Sequence, residues 1–103
     1  MDRIAKLKEF LVVNPDDSFV QHALALELVK AGDDAQARTL FENILTKDDN
    51  YLGSYYHLGK LLERNEEKEN AIKWYKIGMV KAKQNGDMHA YNELQAALDD
   101  LME

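Results

Sequence analysis

The chain has 103 residues, of which 46% are apolar and 31% charged, the composition of one globular domain rather than of a disordered segment. Its net charge of −6 sets the average field against phosphate backbones and anionic lipids, and the lack of cysteine excludes a disulfide framework, thiolate zinc sites and a cysteine nucleophile. No run is long and apolar enough for a secretory core or a membrane span, so a cytoplasmic protein is expected, with neither nucleic acid nor membrane as partner.

Taken in order, Ile4, Leu7, Phe10 and Leu11 recur at three- and four-residue spacing and predict an amphipathic helix over residues 2–14. Pro15 stops it, and Asp16, Asp17 and Ser18 offer side-chain oxygens to cap the next. A second helix is expected over residues 18–31, ending at Gly32, which can take positive φ. Asp33 and Asp34 are candidate caps for a third, about residues 35–46, with Ala37, Leu40, Phe41, Ile44 and Leu45 on one side. The polar turn at residues 47–50 reads as the turn and cap before a fourth helix over residues 52–65. Glu66 then stands where the earlier turn has Gly32, so Asn65 is expected to take the left-handed conformation in its place. A fifth helix is expected over residues 68–83, and Gln84-Asn85-Gly86-Asp87 ends it and caps a sixth, striped by Ala90, Leu94, Ala97, Leu98 and Leu101.

One pattern occurs twice, 34 residues apart: Leu24-Ala25, Leu28, Ala37 and Phe41, then Leu58-Gly59, Leu62, Ala71 and Tyr75. A fixed period built from helical spacings is the signature of stacked helix pairs, with small residues where two helices approach and rings filling the space beyond. Lys47 and Lys81 are also one period apart and identical. Leu7 and Leu11 precede Phe41 and Leu45 by the same 34 residues, so the first helix behaves as the second half of a repeat. In the sixth helix the motif positions fall on Asn92, Glu93 and Ala96, as a solvated end cap requires. The expected organisation is one domain over residues 1–103: a half-repeat helix at 1–14, repeats at 18–51 and 52–85, and a capping helix at 86–103.

This pattern resembles the tetratricopeptide repeat family. The family's first aromatic position is met by Tyr55 in the second copy but by Gln21 in the first, and its closing proline is present only at Pro15. The resemblance implies an all-α fold of about six helices in antiparallel pairs, stacked as a right-handed α-solenoid. It also implies an adaptor, not an enzyme, that holds a peptide or helix segment of a partner in a concave groove lined by the first helix of each pair. Carried over, that groove takes Phe19, His22, Leu26 and Val29 from helix two, and Gly53, Tyr56, Lys60 and Glu63 from helix four. Arg64 and Lys30 stand nearby as cations that could meet an acidic group.

Phe19, Leu26 and Val29 form a second apolar arc on a helix already apolar on its packing side. Such an arc serves as a binding surface, is covered within the monomer by helix one or helix four, or joins two copies in a homodimer or docks a larger assembly. The carboxylate clamp known in chaperone-binding members needs cations where this chain has His22, Leu26, His57, Asp87 and Tyr91, so that clamp is not expected. His89 and Glu93 share a helix face but two ligands do not make a metal site, and residues 48–50 lack the glycine and glutamate of a calcium loop. No cofactor or metal is expected, and no nucleophile–base pair or phosphate loop supports catalysis.

Overall fold

The computed structural model describes residues 2–103; Met1, which opens the expected half-repeat, lies outside the described residues. Six helices follow in order, α1 (Arg3–Val13), α2 (Ser18–Lys30), α3 (Asp34–Lys47), α4 (Leu52–Arg64), α5 (Lys68–Gln84) and α6 (Met88–Met102), and no strand occurs among the described residues. Each boundary falls within a residue or two of its expected place. Aspartates set four of the starts: Asp2 accepts from the Ile4 N–H at 3.0 Å, Asp17 from Val20 at 3.1 Å, Asp33 from Gln36 at 3.2 Å and Asp87 from Ala90 at 3.0 Å. The acidic turn before α4 departs from expectation. Tyr51 is the N-cap there, without a side-chain cap bond, because the polar groups of residues 49 and 50 are engaged elsewhere.

α2, α4 and α5 end in one and the same turn. The Asp33, Glu67 and Asp87 N–H groups donate to the carbonyls of Leu28, Leu62 and Ala82 at 2.9, 2.8 and 2.9 Å, each enclosing a single left-handed residue. Those residues are Gly32 (φ 83°), Glu66 (φ 61°) and Gly86 (φ 69°). The expectation for Asn65 is thereby corrected: its φ is −94°, and its side chain donates to the Leu61 carbonyl at 2.9 Å, as Asn85 does to Lys81 at 2.7 Å. The closing hydrogen bond from residue 67 to residue 62 places the left-handed position at 66 whatever the neighbour's tolerance. Glu66→Gly is therefore expected to stabilise the chain by about 0.5–1 kcal/mol, the left-handed cost less glycine's extra unfolded entropy. A thermal midpoint a few degrees higher would show it, and an unchanged or lower one would contradict it.

The chain divides into two compact units, one ending at Asp48 and the other spanning Asp49–Glu103. In the first, α2 packs on both α1 and α3. Val20, Leu24, Ala25 and Leu28 of α2 and Ala37, Phe41, Ile44 and Leu45 of α3 are buried, whereas α1 buries no residue fully and leaves Phe10 half exposed. In the second, α5 packs on α4 and α6, and α6 also touches α4. Tyr55, Leu58, Leu62, Tyr75, Leu94 and Leu98 form the core there.

Gly59 is small for a reason other than the expected approach of two backbones. A methyl group placed on it would sit 2.6 Å from Cζ and 2.7 Å from Cδ1 of Tyr75, so the glycine is the slot into which that ring fits. Gly78 does similar work for Tyr55, whose Cβ would lie 2.7 Å from an added methyl.

Candidate functional site

The α2 face begins with Phe19, two residues past the cap at Asp17 and 72% exposed. One turn on, His22 is half-buried and sets its ring edge-on against Phe41, centroids 5.7 Å apart, so it faces the core of its own unit as much as solvent. Leu26 and Val29 are also half-buried. The arc is thus graded, open at Phe19 and partly covered beyond it. Between these residues Glu27 gathers two cations, Arg3 from α1 and Lys30 from its own helix, each at 3.2 Å. Lys30 accordingly belongs to an ion pair that also ties α1 to α2.

On α4, Tyr56 is half-buried, Lys60 and Arg64 are exposed, Gly53 is exposed and Glu63 is half-buried. Tyr56 meets the His57 ring edge-on at 5.4 Å, and the Lys60 ammonium lies 5.7 Å from the Tyr56 ring centre. Lys60 also reaches Glu63 at 3.7 Å, and Glu63 accepts a hydrogen bond from the hydroxyl of the buried Tyr75. Burial and that carboxylate push the Tyr75 hydroxyl well above its ordinary range, so it remains the donor. Tyr56, Lys60, Glu63 and Tyr75 therefore form one connected group, whose surface part presents an aromatic face beside a cation.

His57 sits half-buried beside Tyr56, and burial lowers its pKa from 6.5, an effect that the Glu93 carboxylate on α6 partly opposes. Lowering means that the fold prefers the neutral ring. Its contribution to stability is complete above about pH 6.5 and is lost as pH falls below that value, because the unfolded chain protonates first. Urea midpoints from pH 7.5 to 5 should fall, and more steeply for the parent chain than for His57→Gln; parallel curves would refute the assignment. Among the described residues, no group of three histidine or acidic side chains could hold a metal ion.

No family model and no curated protein matches the chain by sequence. Solved structures do. The solution structure of a tetratricopeptide repeat domain protein from Salinibacter ruber is 39% identical, with a TM-score of 0.81 over 84% of this chain and 88% of that one. A crystal structure of a tetratricopeptide repeat domain protein from the same organism is 38% identical, with a TM-score of 0.79 over 84% of this chain and 96% of that one. The chain belongs to the tetratricopeptide repeat family. A Bordetella parapertussis protein, 22% identical with a TM-score of 0.86 over 99% of this chain and 89% of that one, shares the fold.

Within a tetratricopeptide repeat, the departure at Gln21 turns out to be a substitution of chemistry and not of role. The Tyr55 hydroxyl donates to the Asp49 carbonyl at 2.7 Å, and one period earlier the Gln21 amide donates to the Pro15 carbonyl, also at 2.7 Å. The identical lysines complete each arrangement. Lys47 donates to the Gln21 side-chain oxygen at 2.8 Å, while Lys81 pairs with the Asp49 carboxylate at 2.9 Å. In both units a lysine on the second helix thus secures the turn that enters the first. The identity of Lys47 and Lys81 is legible in the sequence, but the role they share is not. What points to it there is their spacing of one period and the polar residue at position 21.

The chain is accordingly a helical-repeat interaction module of the α-solenoid class. No described helix is long and apolar enough to cross a membrane.

Proposed function

We propose that this tetratricopeptide protein is a cytoplasmic adaptor, without cofactor or catalytic activity, that binds a peptide or helix segment of a protein partner. The contacts assigned to it are Phe19, His22, Leu26 and Val29 on α2 in one unit, and Tyr56, Lys60 and Arg64 on α4 in the other. Phe19 carries the reading: a large apolar side chain 72% exposed, on the same helical face as the half-open Leu26 and Val29, suits an apolar anchor from outside. Tyr56 with Lys60 adds an amphipathic contact, an aromatic ring beside an exposed cation.

Capture of binding proteins on the immobilised chain, followed by their identification, tests this against two variants. Phe19→Glu should reduce the captured partner at least tenfold while moving stability by no more than about 0.5 kcal/mol. Leu26→Lys should do the same at a somewhat larger cost, about 1 kcal/mol, since Leu26 is half-buried. Undiminished capture by both variants would refute the α2 contact.

Self-association is the second reading, and one observation favours it. Phe10, Val12 and Val13 are 49%, 82% and 78% exposed at the end of α1, just before the turn that leads to Phe19. A homodimer through this region would show a sedimentation coefficient that rises with concentration and becomes constant in Phe19→Glu.

A further inference from the structure

We propose a second docking site, independent of the α2 and α4 faces, on the outer side of α5 where it meets α6, and infer that its occupant is an acidic peptide segment with an apolar anchor. A cavity of about 330 Å³ opens there, lined by Lys76, Met79, Val80 and Lys83 of α5 and by Tyr91 of α6. Its apolar members are not closed over by the unit, for Val80 is 56% exposed and Met79 and Tyr91 are half-open.

The charge around it is specific. In a chain of net charge −6, α5 alone carries five lysines against one glutamate, a net +4. Lys81 is taken by Asp49 at 2.9 Å, and Lys73 lies over the Trp74 ring at 5.8 Å. Lys76 and Lys83 are exposed, and among the described residues no carboxylate lies within 4.0 Å of either. Seven residues of helix separate them, roughly 10 Å, with Val80 between. Two ammonium groups flanking an aliphatic opening match carboxylates placed on either side of a leucine or phenylalanine.

The repeat itself does not require these residues. One period earlier the α3 positions equivalent to Lys76 and Val80 are Glu42 and Thr46, and Glu42 is paired with Arg38 at 3.2 Å. The same helical framework is therefore built in α3 with neither the cations nor the open valine. What α5 adds over that framework is a surface that attracts anions and buries an aliphatic group.

The test is an amide-resolved NMR titration of the whole chain with a synthetic peptide, Glu-Glu-Leu-Phe-Glu-Glu-Leu-Leu, acetylated and amidated at its ends. Saturable shifts should appear at Lys76, Met79, Val80, Lys83 and Tyr91. The same peptide with glutamine for glutamate should bind at least tenfold more weakly, as should the parent peptide to the double variant Lys76→Glu, Lys83→Glu, and raising salt should weaken the parent complex. Val80→Asp, equally surface-placed, should also lose binding, with thermal midpoints confirming that each variant is folded. The proposal is overturned if shifts centre on Phe19, Leu26, Tyr56 and Lys60, if the glutamine peptide binds equally well, or if no saturation is reached at millimolar peptide. It is overturned in favour of nucleic acid if an eight-residue oligothymidylate occupies this face more tightly than the peptide. None of these variants touches α2 or α4, so partner capture by the Phe19 face is scored separately.

Discussion

Gly59→Ala should destabilise the chain by about 3 kcal/mol, near the upper end for an overpacked core. A single methyl group is enough because its position overlaps the Tyr75 ring, which is fully buried and cannot swing into solvent. The ring is further held by its hydroxyl, which donates to Glu63, so relief by tilting breaks that bond and leaves a buried donor unsatisfied. The clash is local and removable. Tyr75→Leu, costly in itself, should become much less so in the presence of Gly59→Ala, and a double-mutant cycle should show a coupling well above 0.5 kcal/mol. Urea unfolding of the four proteins measures it. Additive effects, or an unchanged midpoint for Gly59→Ala, would mean that the ring does not occupy that slot.

Phe41→Ala should cost about 3–5 kcal/mol, the usual loss for emptying a buried aromatic site, and so a large part of the 5–15 kcal/mol that holds a domain of this size. Phe41 is fully buried and carries the edge of His22, so the cavity also frees a residue on the proposed α2 face. Its counterpart one period on is Tyr75, yet Phe41→Tyr should not be neutral. Tyr75 has Glu63 to accept its hydrogen bond, whereas the position one period before Glu63 is Val29, whose side chain has no acceptor. An added hydroxyl at residue 41 should therefore cost about 1–3 kcal/mol, and Val29→Glu in the same chain should recover part of it. No recovery would show that the two repeats do not share this geometry.

The spacing of Leu24, Leu28, Ala37 and Phe41 with Leu58, Leu62, Ala71 and Tyr75 determined by itself that the chain is all-helical, built of pairs and of the tetratricopeptide family. Burial of one helix face is periodic in the residues, so a period of 34 is readable without coordinates. Pro15 likewise ends α1, and the aspartates at 17, 33 and 87 set the helix starts that follow them, because a cap acts within three residues of itself. Relations that join residues far apart in the chain were decided only by tertiary structure. Gly59 read as a place of close backbone approach and proved to be the slot for a ring sixteen residues on. Asn65 read as the left-handed residue by its own tolerance, and the hydrogen bond from Glu67 to Leu62 gave that role to Glu66. Gln21 read as a departure from the motif, and its bonds to Pro15 and Lys47 showed it doing the work of Tyr55. Exposure followed the same division: a helical wheel ranks Phe19, Leu26 and Val29 alike, but the packing of α1 and α3 on α2 leaves the first open and the others partly covered. Local sequence specifies which face of a helix is apolar, whereas its degree of burial depends on what other helices bring against it, and that is a property of the folded chain alone.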